Sequence, residues 1–466
     1  MLIKRILYAL LLSAIPLAGV NLSGATPGDV TVTLDLKHVG RTIPADFTGL
    51  SYEISLVLPD RDGNYYFSAK NQPLIALFRT LGIKSLRVGG NTADRPGIPT
   101  PTTADADSLF AFAKAAGAKV IYTVRLDGGD PQADAAMVKY LVEHYPSNLE
   151  CITIGNEPNK EFTNNFAAYH AAMSKILDAA SRAAPGAKFC GPSAMHTVPE
   201  WAADMAAAYA HDPRIDFITQ HYYCGKSGEH ATNAGRAQDK ILSPDMLTNY
   251  EYFCHQFMPA VISNGFTCRI EETSSYSRGG ARGTSDTFAS ALWALDYLHW
   301  WAAQPGTRGF NFHMGNIYGA FVDARDGYSV RPLSYGIKAF ELGGQGRVVP
   351  VRVGENVGDL NFTAYSVLQA TNLYVTLINK EHGPDGRDAM VTIAPGMRFA
   401  HCEGMSLRAP DGNLSAKTNL TLGGSAISGN GRWDGHWTPL NYTEDDGTYR
   451  IKVPAATAII VRFNPE

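Results

Sequence analysis

The sequence predicts a (β/α)8 barrel followed by a C-terminal antiparallel β-sandwich. Three observations predict it. Between residues 46 and 342, short apolar strand candidates alternate with Ala-rich helical stretches, and eight strand candidates can be counted, the number that closes such a barrel. After residue 343 the helical periodicity ends, and β-rich runs separated by turn residues replace it. A doubly wound open sheet would alternate in a similar way, but no GxGxxG and no P-loop follows the first strand.

The elements follow in order. Lys4 and Arg5 precede an apolar run that starts at Ile6, and the small residues Ser23 and Ala25 follow it, the pattern of a signal peptide over 1–25. The run is shorter than the ~20 residues a membrane span needs. The mature chain is therefore expected to be secreted or periplasmic. In segment 26–45, residues 30–36 alternate Val and Leu with Thr and Asp, a strand expected to join the C-terminal sheet. The barrel strands are expected at 47–54, 83–89, 119–125, 150–156, 188–193, 215–221, 266–272 and 309–314. Amphipathic helices are expected between most of them, at 73–81, 104–116, 131–144, 165–183, 200–210 and 285–303. The sandwich, residues 343–466, should use strands at 348–353, 361–368, 373–379, 389–393, 419–422 and 449–462.

Composition excludes some partners. The chain carries few charges and a formal net charge of -4, and its basic residues are scattered, so no nucleic acid or bulk polyanion is implied. Cys151, Cys190 and Cys268 fall in apolar strand-like runs and read as buried thiols. Cys224 and Cys254 are either a surface bridge or two further thiols. No Cys or His spacing suits a metal, and no metal or organic cofactor is expected.

The fourth strand candidate leads through Ile154-Gly155-Asn156 to Glu157 and stops at Pro158, which cannot continue a ladder. Alternation sets Ile152 and Ile154 toward the helices, and Cys151, Thr153, Gly155 and Glu157 toward the barrel interior. The seventh candidate ends in Glu271-Glu272. Active sites of such barrels lie at the carboxyl ends of the strands. Two carboxylates on opposite sides of that mouth suit glycoside hydrolysis, in which one protonates the leaving oxygen and the other attacks the anomeric carbon. Alternation admits only one of Glu271 and Glu272. If Cys268 and Ile270 face inward, Glu272 does too, and Glu271 shares the outer face with Arg269 as a structural ion pair.

These residues resemble glycoside hydrolase family 79, which contains β-glucuronidases and heparanases, in Ile154-Gly-Asn-Glu-Pro-Asn159 and Glu272-Thr-Ser-Ser275. Phe47-Thr-Gly-Leu-Ser-Tyr-Glu53, Leu86-Arg-Val-Gly-Gly-Asn-Thr-Ala-Asp94, His221-Tyr-Tyr223 and Ser285-Asp-Thr-Phe-Ala289 agree with the same family, so the resemblance spans the barrel. It selects Glu272 over Glu271. It implies a retaining, two-step reaction with Glu272 as nucleophile and Glu157 as acid/base. Glu157 should then have a carboxyl raised by the Glu272 charge.

The resemblance also implies supporting roles. Asn156 either hydrogen-bonds the sugar 2-hydroxyl or caps the strand end. Asp94 either binds sugar hydroxyls or stabilises a turn, and Tyr222 or Tyr223 either orients the nucleophile or walls the pocket. Arg87 pairs with a catalytic carboxylate or with a core acid. Gly279 and Gly280, through backbone N–H groups, and Tyr318 are the candidates for holding a uronic acid carboxylate. The partner implied is a glucuronic-acid-containing saccharide or glycoconjugate. The mild acidity and the offsetting pair Lys160-Glu161 favour an exo-acting β-glucuronidase over a heparanase-like endo enzyme. A neutral-sugar β-glycosidase of the same clan and a non-enzymatic carbohydrate-binding barrel remain the alternatives.

Overall fold

The computed structural model describes residues 28–464 other than 326, 400, 441 and 446, so the expected signal peptide lies outside the described residues. Strand β1 (Gly28–Leu34) comes first. The barrel then runs β2 (Thr48–Glu53), α1 (Gln72–Thr80), β3 (Ser85–Gly89), α2 (Thr103–Ala116), β4 (Lys119–Val124), α3 (Pro131–His144), β5 (Leu149–Ile154), α4 (Phe166–Ala183) and β6 (Phe189–Ala194). It continues α5 (Glu200–Ala208), β7 (Ile215–Tyr223), α6 (Ala234–Leu242), α7 (Asp245–His255), α8 (Met258–Ser263), β8 (Cys268–Ser274), α9 (Phe288–Ala303), β9 (Thr307–His313) and α10 (Pro332–Gly343). Strands β2 to β9 pair in parallel and close on themselves through β2 and β9. Among the described residues, no helix is long and apolar enough to cross a membrane.

Local chemistry starts the helices where the sequence signals them. Thr102 and Asp105 form a reciprocal capping box on α2, which stops at Gly117 with φ 76°. Asp130 caps α3 with Pro131 behind it, and Asn165 caps α4. Helix α9 departs from the amphipathic expectation: it is buried almost all round. The barrel lies on one side of it and the C-terminal sheet on the other, so it has no wet face.

Two sheets form the sandwich. One orders Val351–Val353, β1, Ala389–Ala394, Thr448–Val453 and Thr443–Asp445. The other orders Arg347–Val349, Phe362–Gln369, Asn372–Asn379, Thr457–Asn464, His401–Arg408 and Thr421–Leu422. Pairing is antiparallel except that β1 runs parallel to Ala389–Ala394, a pairing possible because the whole barrel lies between them in sequence. Alternation along Asn372–Asn379 sends Leu373, Val375 and Leu377 into the sandwich core, while Tyr374 and Ile378 join the core shared with the barrel. Asp296 of α9 completes the junction. It accepts from Thr363 Oγ1 and Tyr365 Oη at 2.7 Å each and pairs with Lys380 Nζ at 2.7 Å.

All six cysteines are free and buried. A Cys224–Cys254 surface bridge does not form, because Cys224 turns inward against Tyr250 and Trp293.

Candidate active site

The barrel interior is built in layers. Ile121, Cys151, Cys190 and Phe217 form an apolar cluster on four neighbouring strands. Beside it Arg269 lies buried near Asp46, Glu150 and Asn311. Ser51, Arg87, Thr153, His221, Glu271 and His313, all buried, build a polar layer that leads to the carboxyl ends of the strands.

Strand β8 carries the two glutamates in a way that simple alternation misses. Ile270 pairs with Gln220 and Glu272 with His221, so β8 holds one extra residue against β7. The same bulge appears against β9, where Ile270 pairs with Phe310 and Thr273 with Phe312. Cys268 and Ile270 therefore face the helices, Thr273 bonds Tyr297 of α9, and Glu271 and Glu272 both enter the barrel. The expected outer-face pair of Glu271 with Arg269 does not exist. Glu271 instead accepts from Ser193 Oγ and from Thr153 Oγ1, and lies 3.8 Å from His221 Nε2.

Glu157 likewise reaches the site by a turn rather than by continuing the strand. Strand β5 stops at Ile154, Gly155 takes φ 79°, and Glu157 itself takes φ 48°. A side chain at Gly155 would meet Leu126 Cβ at 2.7 Å, so glycine is required by both conformation and space. The left-handed backbone at Glu157 is strained for a residue with a side chain and is held by its N–H donating to Ser193 O at 2.9 Å.

Around these carboxylates the contacts are short. Glu272 Oε2 accepts from Arg87 Nη1 at 2.8 Å, and Oε1 accepts from Tyr223 Oη at 2.8 Å. Glu157 Oε1 lies 3.2 Å from His221 Nδ1, and Oε2 pairs with Lys160. Oxygens of Glu157 and Glu272 and a nitrogen of His221 all lie within 4.8 Å of one another. Burial opposes the Glu272 charge, but His313, His221, Arg87 and the Tyr223 hydroxyl outweigh it and hold the carboxyl far below the ordinary range. Burial likewise opposes charge on His221, but Glu272, Glu157 and Glu271 lift the imidazole to about 9. Glu157 departs from the sequence expectation. Burial and Glu272 raise its carboxyl, yet the His221 bond and the His221 and Lys160 charges prevail and hold it low.

The other expected residues divide. Asn156 accepts from Arg87 Nη2 at 2.6 Å through Oδ1, which leaves its amide nitrogen to donate to a ligand. Arg87 thereby resolves toward the site carboxylate. Tyr223 faces inward, whereas Tyr222 turns to the helices and stacks on Phe253 at 4.1 Å, so it does not line the site. Asp94 is also withdrawn from ligand binding. Its oxygens accept from the N–H groups of Leu126, Asp127 and Asn156, stapling three strand-end loops. Tyr318 sits 6.3 Å from the Tyr223 ring, and a side chain at Gly280 would meet Tyr318 at 3.1 Å. The Gly280 N–H closes a turn on Ser277 O at 3.2 Å, so it is not the expected carboxylate donor, and Gly279 has open space over it.

The sequence assigned no role to His221, His313 or Ser51, and it set Lys160 against Glu161 rather than Glu157. His313 Nδ1 lies 3.0 Å from Ser51 Oγ and 3.7 Å from Glu272 Oε2. The signal for His221 was its parity: it precedes Tyr223 by two residues on one strand, so both face inward.

No family model and no curated protein matches the chain. Solved structures do. A 4-O-α-L-rhamnosyl-β-D-glucuronidase from Fusarium oxysporum 12S superposes with a TM-score of 0.73 at 19% identity, covering 93% of this chain and 99% of its own. A family 51 α-L-arabinofuranosidase from Bifidobacterium longum gives 0.70 at 17% identity, covering 94% and 100%. An arabinofuranosidase of the same family from Xanthomonas axonopodis pv. citri gives 0.69 at 12% identity, covering 94% and 100%. These neighbours are glycoside hydrolases, and at such identities the likeness establishes the shared barrel-and-sandwich fold.

Proposed function

We propose that the protein is a retaining glycoside hydrolase that cleaves β-glucuronides from the chain end, with the sequence features of family 79. The observation that carries the reading is the facing pair Glu157 and Glu272, each with an oxygen within 4.8 Å of the other's. Inversion places the two carboxyls roughly 6.5–9.5 Å apart to admit water, whereas retention uses about 5–5.5 Å. Glu272, ionised by its cationic neighbours, attacks the anomeric carbon. The bond to the leaving oxygen breaks, and Glu157 delivers the proton. Water then attacks the glycosyl-enzyme, giving its proton to Glu157 and releasing Glu272.

The low Glu157 carboxyl requires a proton source, and His221 supplies it. Its imidazolium Nδ1 lies 3.2 Å from Glu157 Oε1, so the pair shares one proton that passes through Glu157 to the leaving oxygen. Asn156 donates to the 2-hydroxyl, and Tyr318 with the Gly279 loop faces the sugar carboxylate. The glucuronide assignment rests on the motif resemblance and on the Fusarium oxysporum neighbour's named activity. The arabinofuranosidase neighbours favour a second reading, a neutral furanoside substrate.

A panel of nitrophenyl glycosides separates the two. Cleavage of the β-glucuronide, with a 2-fluoro-glucuronide label recovered on the Glu272 peptide, is expected. Cleavage of the arabinofuranoside with an inert glucuronide would overturn the substrate assignment.

A further inference from the structure

Glu157, Glu271 and Glu272 all enter the barrel, but Glu271 alone has no surface. Its side chain is 0% exposed, against 8% for Glu157 and 5% for Glu272. It cannot touch a saccharide, and the two-step reaction proposed above gives it no part. A charge so buried persists only where partners offset its lost hydration. Oε1 accepts from Ser193 Oγ, and Oε2 accepts from Thr153 Oγ1 at 3.4 Å. The remaining partner is His221.

The His221 ring lies between two carboxylates. Nδ1 is 3.2 Å from Glu157 Oε1, and Nε2 faces Glu271 Oε1 at 3.8 Å. Among the described residues Nε2 has no hydrogen-bond partner. A neutral imidazole carries a proton on one nitrogen and a lone pair on the other. A proton on Nδ1 aims the Nε2 lone pair at Glu271, and a proton on Nε2 aims the Nδ1 lone pair at Glu157. Only the imidazolium presents an N–H to both. Around the ring also stand Glu272 on β8, which favours the imidazolium, and Arg87 on β3, which opposes it. His196, in the loop after β6, is pushed toward its neutral form by burial, and Lys160 is paired with Glu157.

Ser193 carries a second link. Its Oγ donates to Glu271, while its carbonyl accepts the Glu157 N–H at 2.9 Å and its own backbone takes φ 57°. Glu271 therefore supports Glu157 twice, through the imidazole and through the residue that holds its left-handed backbone.

We propose that Glu271 is a positioning residue that holds the His221 imidazolium in line with Glu157, and so stores the proton that Glu157 delivers to the leaving oxygen; this rests on the glycosidase reading above. The proton leaves Nδ1 for Glu157 as the leaving oxygen is protonated. A proton of the attacking water returns by the same route, so Glu271 and His221 end each turnover unchanged.

The test is heavy-nitrogen NMR of the full chain with labelled histidine side chains, His221 being assigned by its loss in His221→Gln. The parent should show both ring N–H groups on His221 at about pH 7. In Glu271→Gln the imidazole should titrate about 1–3 pH units lower, because an opposing charge is gone. The alkaline limb of kcat/KM, on whichever nitrophenyl glycoside is cleaved, should move down with it, and Glu271→Asp, which keeps the charge, should restore part of the shift. A neutral His221 in the parent overturns the proposal whether or not the variants fold. An alkaline limb unmoved in folded Glu271→Gln overturns it too, leaving Glu271 a structural ion. The titration needs no substrate. A coupled imidazole in a protein that cleaves no glycoside therefore sinks the glycosidase reading, whereas an uncoupled imidazole in an active protein sinks the role of Glu271.

Discussion

Arg87 Nη1 donates to Glu272 Oε2 at 2.8 Å with the Arg87 side chain wholly buried, and its Nη2 donates to Asn156 Oδ1 at 2.6 Å. In the proposed mechanism one guanidinium thus orients both the attacking carboxylate and the amide that holds the sugar. Its planar fork does this in a way an ammonium cannot. Arg87→Lys is expected to lower kcat/KM by about 10²-fold or more, since misplacement of this order costs that much. With the neutral Arg87→Met the acid limb of the pH profile should also move upward, because Glu272 then loses one of the charges that keep it ionised. A kcat/KM and an acid limb both unchanged would remove Arg87 from the mechanism.

His221 sets a second limb. Its imidazole is raised to about 9, and activity should fall as pH rises through that value and the shared proton is lost. His221→Gln is expected to abolish this limb and to reduce kcat by about 10²–10⁴-fold on substrates with poor leaving groups. The stability sign follows from the same shift. An imidazole raised above its unfolded value of about 6.5 stabilises the fold fully below that pH and loses the contribution as pH rises toward 9. Urea titrations of the parent and of His221→Gln should therefore differ more at pH about 6 than above 9. Parallel pH dependences would show that the imidazole is not protonated in the fold.

Glu271 and Glu272 should behave differently although both are buried. Glu272→Gly is expected to lose activity by about 10³-fold or more and to regain turnover with added azide, giving a glycosyl azide of inverted anomeric configuration. Glu271→Gln keeps the bond from Ser193 available and leaves Glu272 in place, so it should retain measurable hydrolysis without azide. Azide rescue of a Glu271 variant, and not of Glu272, would reverse the assignment.

The contrast between these neighbours marks how far the sequence could be read. The eight barrel strands were visible because strand runs and helix caps are local signals, and Asn-Glu-Pro marked the end of the fourth. The extra residue in β8 left no local mark. Alternation therefore favoured Glu272 from a false premise, with Cys268 and Ile270 placed inward although both face the helices. The roles of Asp94 and Tyr222 stayed open in the sequence for a related reason. Each lies near the strand ends, but whether it faces the cavity depends on partners far along the chain, Asn156 for one and Phe253 for the other. The direction of the Glu157 shift needed three-dimensional neighbours as well, since Lys160 and His221 outweigh the charge of Glu272 only through their positions.

Asp296 projects from α9, which has no wet face, and meets Lys380 with both side chains nearly inaccessible. Two hydroxyls of the sheet, Thr363 and Tyr365, complete its shell. Removing one partner of such a pair leaves an uncompensated buried charge, at a cost of about 3–5 kcal/mol. Asp296→Ala should therefore lower the free energy of unfolding, read from a urea titration, by about that amount. The double variant Asp296→Leu with Lys380→Met should recover much of the loss, because no charge is then stranded. Neither change touches Glu157 or Glu272, so kcat on a small glycoside should stay near the parent's at temperatures where the fold persists. Additive losses in the double variant would show instead that Asp296 and Lys380 contribute independently and that no stranded charge causes the single-variant loss.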